Sequence, residues 1–204
     1  MHLGIIDLDT GNLASLISAF EKLNIKFKIC KSNFDFENTD KLILPGVGAF
    51  KDFMHKMKKN KIDDIIKKKV EKKIPLLGIC VGFQVLFENS SEFGDTKGLA
   101  YFHGEIKNFK DFSKEIQIPH VGWNECNIIN KNKLFEGIKN NSDFYFTHSY
   151  ASLECEKKYI ISKTSYNLDF VSSVNFDNIY GVQFHPEKSQ SNGLKLLKNF
   201  YELC

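Results

Sequence analysis

Cys80 stands between two glycines, in Leu76-Leu77-Gly78-Ile79-Cys80-Val81-Gly82-Phe83-Gln84. The apolar run before Gly78 suits a strand covered on both faces, and the apolar spacing from Val81 suits a helix. The pattern is the thiol counterpart of the Gly-x-Ser-x-Gly nucleophile elbow, in which a strained strand-to-helix turn holds the reacting atom. Neighbouring backbone comes close at such a turn, so small flanking residues are required, and a thiol at a helix N-terminus meets the positive end of the helix dipole. A nucleophilic thiol needs a base. His185 and Glu187 in Gln183-Phe184-His185-Pro186-Glu187 can supply one, because residues i and i+2 of an extended segment point to the same side. The imidazole would take the thiol proton and return it to a leaving amine, and the carboxylate would orient the ring. His2, His55 and His103 are less apt, and His120 and His148 have no acid in register. A third feature, Pro45-Gly46-Val47-Gly48-Ala49-Phe50, follows a strand at the end where open α/β sheets bind ligands.

The elements that must carry these residues read as an α/β chain. Leu3 to Leu8, Phe27 to Cys30 and Leu42 to Leu44 read as strands, with a helix from about Leu13 to Leu23 between the first two. Lys51 to Lys73 reads as a Lys-rich helical stretch with Phe53, Met54, Met57, Ile65, Ile66 and Val70 as its buried stripe. Glu88 to Gly98 is polar and reads as a loop. From Leu99 onward the segments are short and β-rich, predicting extra antiparallel or mixed strands, before a closing helix over 192–203.

Composition narrows the function. The 204 residues predict one domain, 1–204, and a hydrophobic share of 42% excludes a disordered chain. A net charge of +3 with dispersed lysines does not argue for nucleic acid. Arginine is absent, so no bidentate phosphate clamp is available. The five cysteines, Cys30, Cys80, Cys126, Cys155 and Cys204, form no CxxC pair, which points away from zinc or a disulfide framework and toward a reducing cytoplasm. No apolar run approaches a membrane span, and no metal or cofactor is called for.

Taken jointly and in order, the Val47, Cys80 and His185 motifs resemble the class I, triad-type glutamine amidotransferases. The segments Ile118-Pro119-His120-Val121-Gly122-Trp123-Asn124, Tyr145-Phe146-Thr147-His148-Ser149-Tyr150 and Glu187-Lys188-Ser189-Gln190 are similar to the glutaminase subunits of imidazole glycerol phosphate synthases. The resemblance implies a flavodoxin-like three-layer fold, with a mainly parallel central sheet, flanking helices and extra antiparallel strands in the C-terminal half. It implies that Cys80 attacks L-glutamine to form a thioester, that His185 shuttles protons and that Glu187 orients it. Backbone N–H groups at Val47 and Val81 would hold the oxyanion, with the Val47 loop acting as a switch. Gly48, Gln84, Ser149 and Tyr150 would bind glutamine. Asn12, His120, Trp123 and Lys188 would face a (β/α)8-barrel cyclase subunit, forming a heterodimer that passes ammonia to the synthesis of imidazole glycerol phosphate and AICAR in histidine biosynthesis. The phosphate-bearing substrate would sit on that partner, in keeping with the missing arginine. Where the family has Asp-Tyr-Gly-x-Gly-Asn-Leu, this chain has Asp7-Leu8-Asp9-Thr10-Gly11-Asn12-Leu13. The loop faces the partner, so a paralogous subunit feeding a synthase that amidinates a surface sugar stays open as an alternative; a catalytically idle binding subunit is a further one, against which the intact Cys80, His185 and Glu187 set argues. A free-standing hydrolase of glutamyl peptides is disfavoured by the exposed Trp123 that the docking segment predicts.

Overall fold

The uniformly apolar runs become the central strands. In a computed structural model, which describes residues 2–9 and 13–204, β1 (Leu3–Ile6) is buried throughout and is followed by α1 (Ala14–Lys22) and β2 (Phe27–Cys30). Next come β3 (Lys41–Gly46), α2 (Phe50–Lys59), α3 (Ile62–Glu71), the fully buried β4 (Leu76–Cys80) and the short α4 (Val81–Gln84). The second half contributes β5 (Phe87–Ser90), β6 (Thr96–Lys97), β7 (Phe102–Asn108), β8 (His120–Ile128), β9 (Ser142–His148) and β10 (Tyr150–Ala151). It ends with β11 (Ile160–Ser165), β12 (Asp169–Phe176), β13 (Ile179–Val182) and α5 (Gln190–Leu203).

Nine strands form one sheet in the order β2-β1-β3-β4-β13-β12-β11-β8-β9. Pairing is parallel from β2 to β13 and antiparallel from β13 to β9. The parallel part is the half that the helices can cover on both faces, which is why β1, β3, β4 and β13 are apolar almost without a break. In β8 the burial alternates, and Val121, Trp123 and Glu125 are exposed from one face. A second sheet, β10-β7-β5-β6, lies beside this frame.

Three sequence expectations need correction. The Lys-rich stretch is two helices, broken at Asn60-Lys61, where Lys61 takes a left-handed φ of 55°. Glu88 to Gly98 is not all loop: it holds most of β5 and all of β6. Backbone pairing of β5 with β7, and of β6 with β5, makes these polar residues extended, a tertiary effect that composition does not carry. Glu187 is not in an extended segment, since residues 186–188 form a 3-10 turn capped by His185.

Candidate active site

The site forms where β3, β4 and β13 end. Cys80 is the last residue of β4 and caps α4 with φ 55° and ψ −109°, a conformation that costs a non-glycine residue ~1–3 kcal/mol. The strain is sustained by close packing. A Cβ on Gly78 would lie 2.4 Å from the Gly82 carbonyl oxygen, and one on Gly82 would lie 1.8 Å from that of Leu44. A Cβ on Gly46 would meet the Gly82 nitrogen at 2.9 Å, so the Val47 turn rests against the elbow. The helix after Cys80 is only four residues long, so its dipole is much weaker than the sequence suggests. The charged group that faces the sulfur is His185.

His185 is held from both sides. Its N–H donates to the Tyr145 carbonyl at 2.8 Å, and its own carbonyl accepts from the Ser189 hydroxyl at 2.6 Å. Its Nδ1 lies 2.7 Å from Glu187 Oε1, so the 3-10 turn achieves the contact that an extended strand was expected to provide. Nε2 remains buried without a hydrogen-bond partner, available to a thiol or a leaving group. Burial works against a charge on this imidazole, but its interactions with the Cys80 side chain and with Glu187 outweigh burial and raise the pKa from 6.5 to about 10. A charge favoured in this way stabilises the fold fully below about pH 6.5 and ceases to do so as pH rises toward 10. The difference in urea unfolding free energy between the native chain and His185→Gln is therefore expected to shrink from pH 7 to 10. A difference that stays constant over that interval would refute the pairing.

A cavity of about 310 Å³ opens beside the sulfur, lined by Val47, Gly48, Cys80, Val81, Gln84, His148, Ser149, Tyr150 and His185, with Glu92, Pro119 and Thr147. Gly48 adopts φ 93°, a backbone state that favours glycine. Gln84 donates from Nε2 to the Tyr150 carbonyl at 3.0 Å and to Gln183 Oε1 at 3.1 Å. With both amide hydrogens used, it meets a ligand as an acceptor. Gln183 Nε2 lies 3.9 Å from the Cys80 sulfur. Glu92 was not singled out in the sequence. It lies in a polar stretch, and only its place on the cavity wall and the 2.7 Å bond from the Phe50 N–H to its Oε2 reveal it. Burial raises its pKa, and the Phe50 bond opposes that rise.

The residues expected to face a partner separate. Trp123 is 46% exposed and stands edge-on to Tyr145 at 6.0 Å, with Lys188 over the same tyrosine ring at 5.7 Å. His120 is a correction: it is 3% exposed and packs under the strand, so its side chain forms no part of that surface. Asn12 lies outside the described residues. Among the described residues, no group of three His, Cys, Asp or Glu side chains is placed to hold a metal ion, and no helix is long and apolar enough to cross a membrane.

A cysteine on an elbow, a histidine–glutamate pair and a small polar cavity at the end of a parallel sheet define an amidotransferase of the cysteine type. The glutamine amidotransferase class-I family matches residues 4–204, and the chain belongs to it. Within it the chain falls among the HisH proteins. It is 43% identical to imidazole glycerol phosphate synthase subunit HisH 1 of Campylobacter jejuni subsp. jejuni (strain 81-176), over 98% of this chain and 100% of that protein. Its identity to subunit HisH of Methanocaldococcus jannaschii is 45%, over 98% and 99% respectively. A solved glutamine amidotransferase structure aligns with a TM-score of 0.75 over 98% of this chain and 97% of its own, at 18% identity, which bears on the fold alone.

Proposed function

We propose that this chain is the glutaminase subunit of an imidazole glycerol phosphate synthase, hydrolysing L-glutamine to glutamate and ammonia for histidine biosynthesis. The observation that carries the chemistry is Cys80 on a strained turn, sharing a cavity with a histidine already bonded to Glu187. The Cys80 thiolate adds to the side-chain amide carbon. The oxyanion that forms is received by the N–H groups of Val47 and Val81, and His185 protonates the departing nitrogen as the C–N bond breaks. Water, deprotonated by His185, then cleaves the thioester. Glu187 holds the imidazole throughout. Gly48, Gln84, Ser149 and Tyr150 grip the amino-acid end of the substrate. Among the described residues, Glu92 is the one carboxylate on the cavity wall, and it suits the substrate's ammonium group.

The ammonia acceptor in this reading is a (β/α)8-barrel cyclase subunit docked over Trp123, Val121 and Lys188, all of them exposed. An exposed tryptophan beside an exposed valine is the kind of anchor protein interfaces use. Five free cysteines fit a reducing cytoplasm. The test is reconstitution with the cyclase subunit encoded in the same genome. Ammonia release by the isolated chain is expected to be slow, and to rise about 100-fold or more when partner and cyclase substrate complete the oxyanion site, the value of one well-placed donor. Imidazole glycerol phosphate should appear in step with glutamate. Full activity without a partner, or none of that product with it, would overturn the assignment.

A further inference from the structure

The burial of His120 leaves a question: what a second buried histidine pair does beside the pocket. His120 and His148 stand directly opposite each other across β8 and β9, 3% and 7% exposed. His120 is stacked between Phe146 at 4.9 Å and Tyr166 at 4.1 Å, and Phe109 and Phe170 close on both imidazoles. His120 Nδ1 lies 3.1 Å from His148 Nε2.

The protons on this pair are fixed from its two ends. At one end His148 Nδ1 lies 2.8 Å from the Tyr150 carbonyl, which can only accept, so Nδ1 carries hydrogen. At the other end the Asn124 amide is oriented by backbone: its Nδ2 donates to the Ser165 carbonyl at 2.9 Å, and its Oδ1 accepts the Glu125 N–H at 2.8 Å. The remaining Nδ2 hydrogen points to His120 Nε2 at 3.3 Å, so that nitrogen accepts. His120 must then donate from Nδ1, and His148 Nε2 must accept. Both rings are neutral, and both carry their proton on Nδ1. Burial agrees with this, holding the His120 pKa down to about 4 and that of His148 to about 3.

The geometry points to the His120–His148 pair as a positioning device for the glutamine pocket, a one-way hydrogen-bond run from Asn124 that pins the Tyr150 carbonyl. That carbonyl is also the acceptor for Gln84 Nε2, and His148, Ser149, Tyr150 and Gln84 all line the cavity. Fixing the carbonyl fixes the direction in which Gln84 presents its own oxygen. The run begins on β8, one residue from Trp123, so the strand under the exposed tryptophan is tied to the substrate wall. The pair touches neither Cys80 nor Glu187 in any hydrogen bond described above, so its effect falls on binding.

The tautomers are tested directly, and the role in binding rests on the glutaminase reading. Long-range proton–nitrogen spectra of histidine-labelled chain at pH 7 should show both rings neutral and protonated on Nδ1. Nε2–H on either ring, or a charged ring, overturns the inference. In glutaminase assays, His148→Phe should raise the glutamine KM about tenfold, the equivalent of one lost hydrogen bond, with kcat within about twofold. His148→Asn places an amide near the old Nδ1 and should recover most of that loss. Because His148→Phe changes the packing as well as the hydrogen bond, His120→Phe and His120→Asn provide a second pair with the same expected contrast, read at matched thermal stability. An unchanged KM in both Phe variants, or Asn variants no better than Phe, refutes the positioning role. If the native chain releases no ammonia under any condition, the proposed function fails, while the spectra still decide the tautomers.

Discussion

Cys80→Ala is expected to reduce glutamine hydrolysis by ~10⁴-fold or more while leaving the fold intact, as loss of a covalent nucleophile does in other acyl-transfer enzymes. The other four cysteines cannot substitute. Cys30 and Cys126 are buried, and burial pushes their thiols up to about 11 and about 12. Burial likewise raises Cys155 to about 11 and Cys204 upward, and none of the four lines the cavity. The fold should survive because alanine keeps Cβ and removes one small atom from the end of β4. Ammonia release measured by a coupled dehydrogenase assay, in the reconstituted complex, provides the readout. Calorimetric titration of glutamine into the variant then separates lost chemistry from lost binding. Residual turnover within tenfold of the native rate would place the nucleophile elsewhere. Alkylation by iodoacetamide at neutral pH should also mark Cys80 ahead of the other thiols, since His185 stands beside it with an unpartnered Nε2.

The chemistry of this chain depends on two buried histidines of opposite character. His185 is beside a sulfur and a carboxylate and favours its charged form. His148, on β9, the strand whose Tyr145 carbonyl accepts the His185 N–H, is among aromatic rings and a carbonyl oxygen and is held neutral. Each assignment follows from its neighbours. The same imidazole serves as proton shuttle where its second nitrogen is left without a partner, and as structural donor where both nitrogens are bonded.

How much of this was legible in the sequence depended on whether the cause was local. The elbow was legible because Gly78 and Gly82 report a close approach, and the structure shows the approaching atoms as Gly82 O and Leu44 O. The parallel core was legible because strands covered on both faces are apolar without alternation. The His185–Glu187 contact was expected for the wrong reason: Pro186 starts a 3-10 turn, and that turn brings the carboxylate back to Nδ1. β5 and β6 were missed because they are extended only through pairing with β7 and with each other. Glu92 was missed for the same reason, since its place on the pocket wall is created by that sheet and by the start of α2. His120 sits in a segment with Val121 and Trp123 exposed, and alternation along β8 sends it the other way. Its role is set by His148, 28 residues away in sequence and directly opposite in the sheet.

Gly82→Ala should be the most damaging single methyl group in the site. The added Cβ would lie 1.8 Å from the Leu44 carbonyl oxygen and 2.8 Å from its carbonyl carbon. Both are backbone atoms of β3, which is locked to β4 by the Leu44–Gly78 and Gly46–Cys80 pairings. Neither side can yield cheaply. Moving β3 breaks the ladder that sets the Val47 turn, and moving α4 drags Cys80 from its place. Overpacking of this kind costs ~3 kcal/mol or more, which for a chain of this size lowers Tm by roughly 10 °C. Gly94→Ala is the control. Gly94, unlike Gly82, has a positive φ, 108°, and nothing lies within 4 Å of its missing Cβ, so the cost there is backbone strain with no clash, about 1 kcal/mol. The variant proteins are compared by thermal and urea unfolding, and then by ammonia release below the lower Tm. Gly82→Ala should be the less stable and, where still folded, should have lost glutaminase activity through displacement of the thiol. If Gly82→Ala unfolds within a degree or two of the native chain, the contact between α4 and β3 is looser than these distances require. The strained turn would then have to be held by something other than the strand behind it.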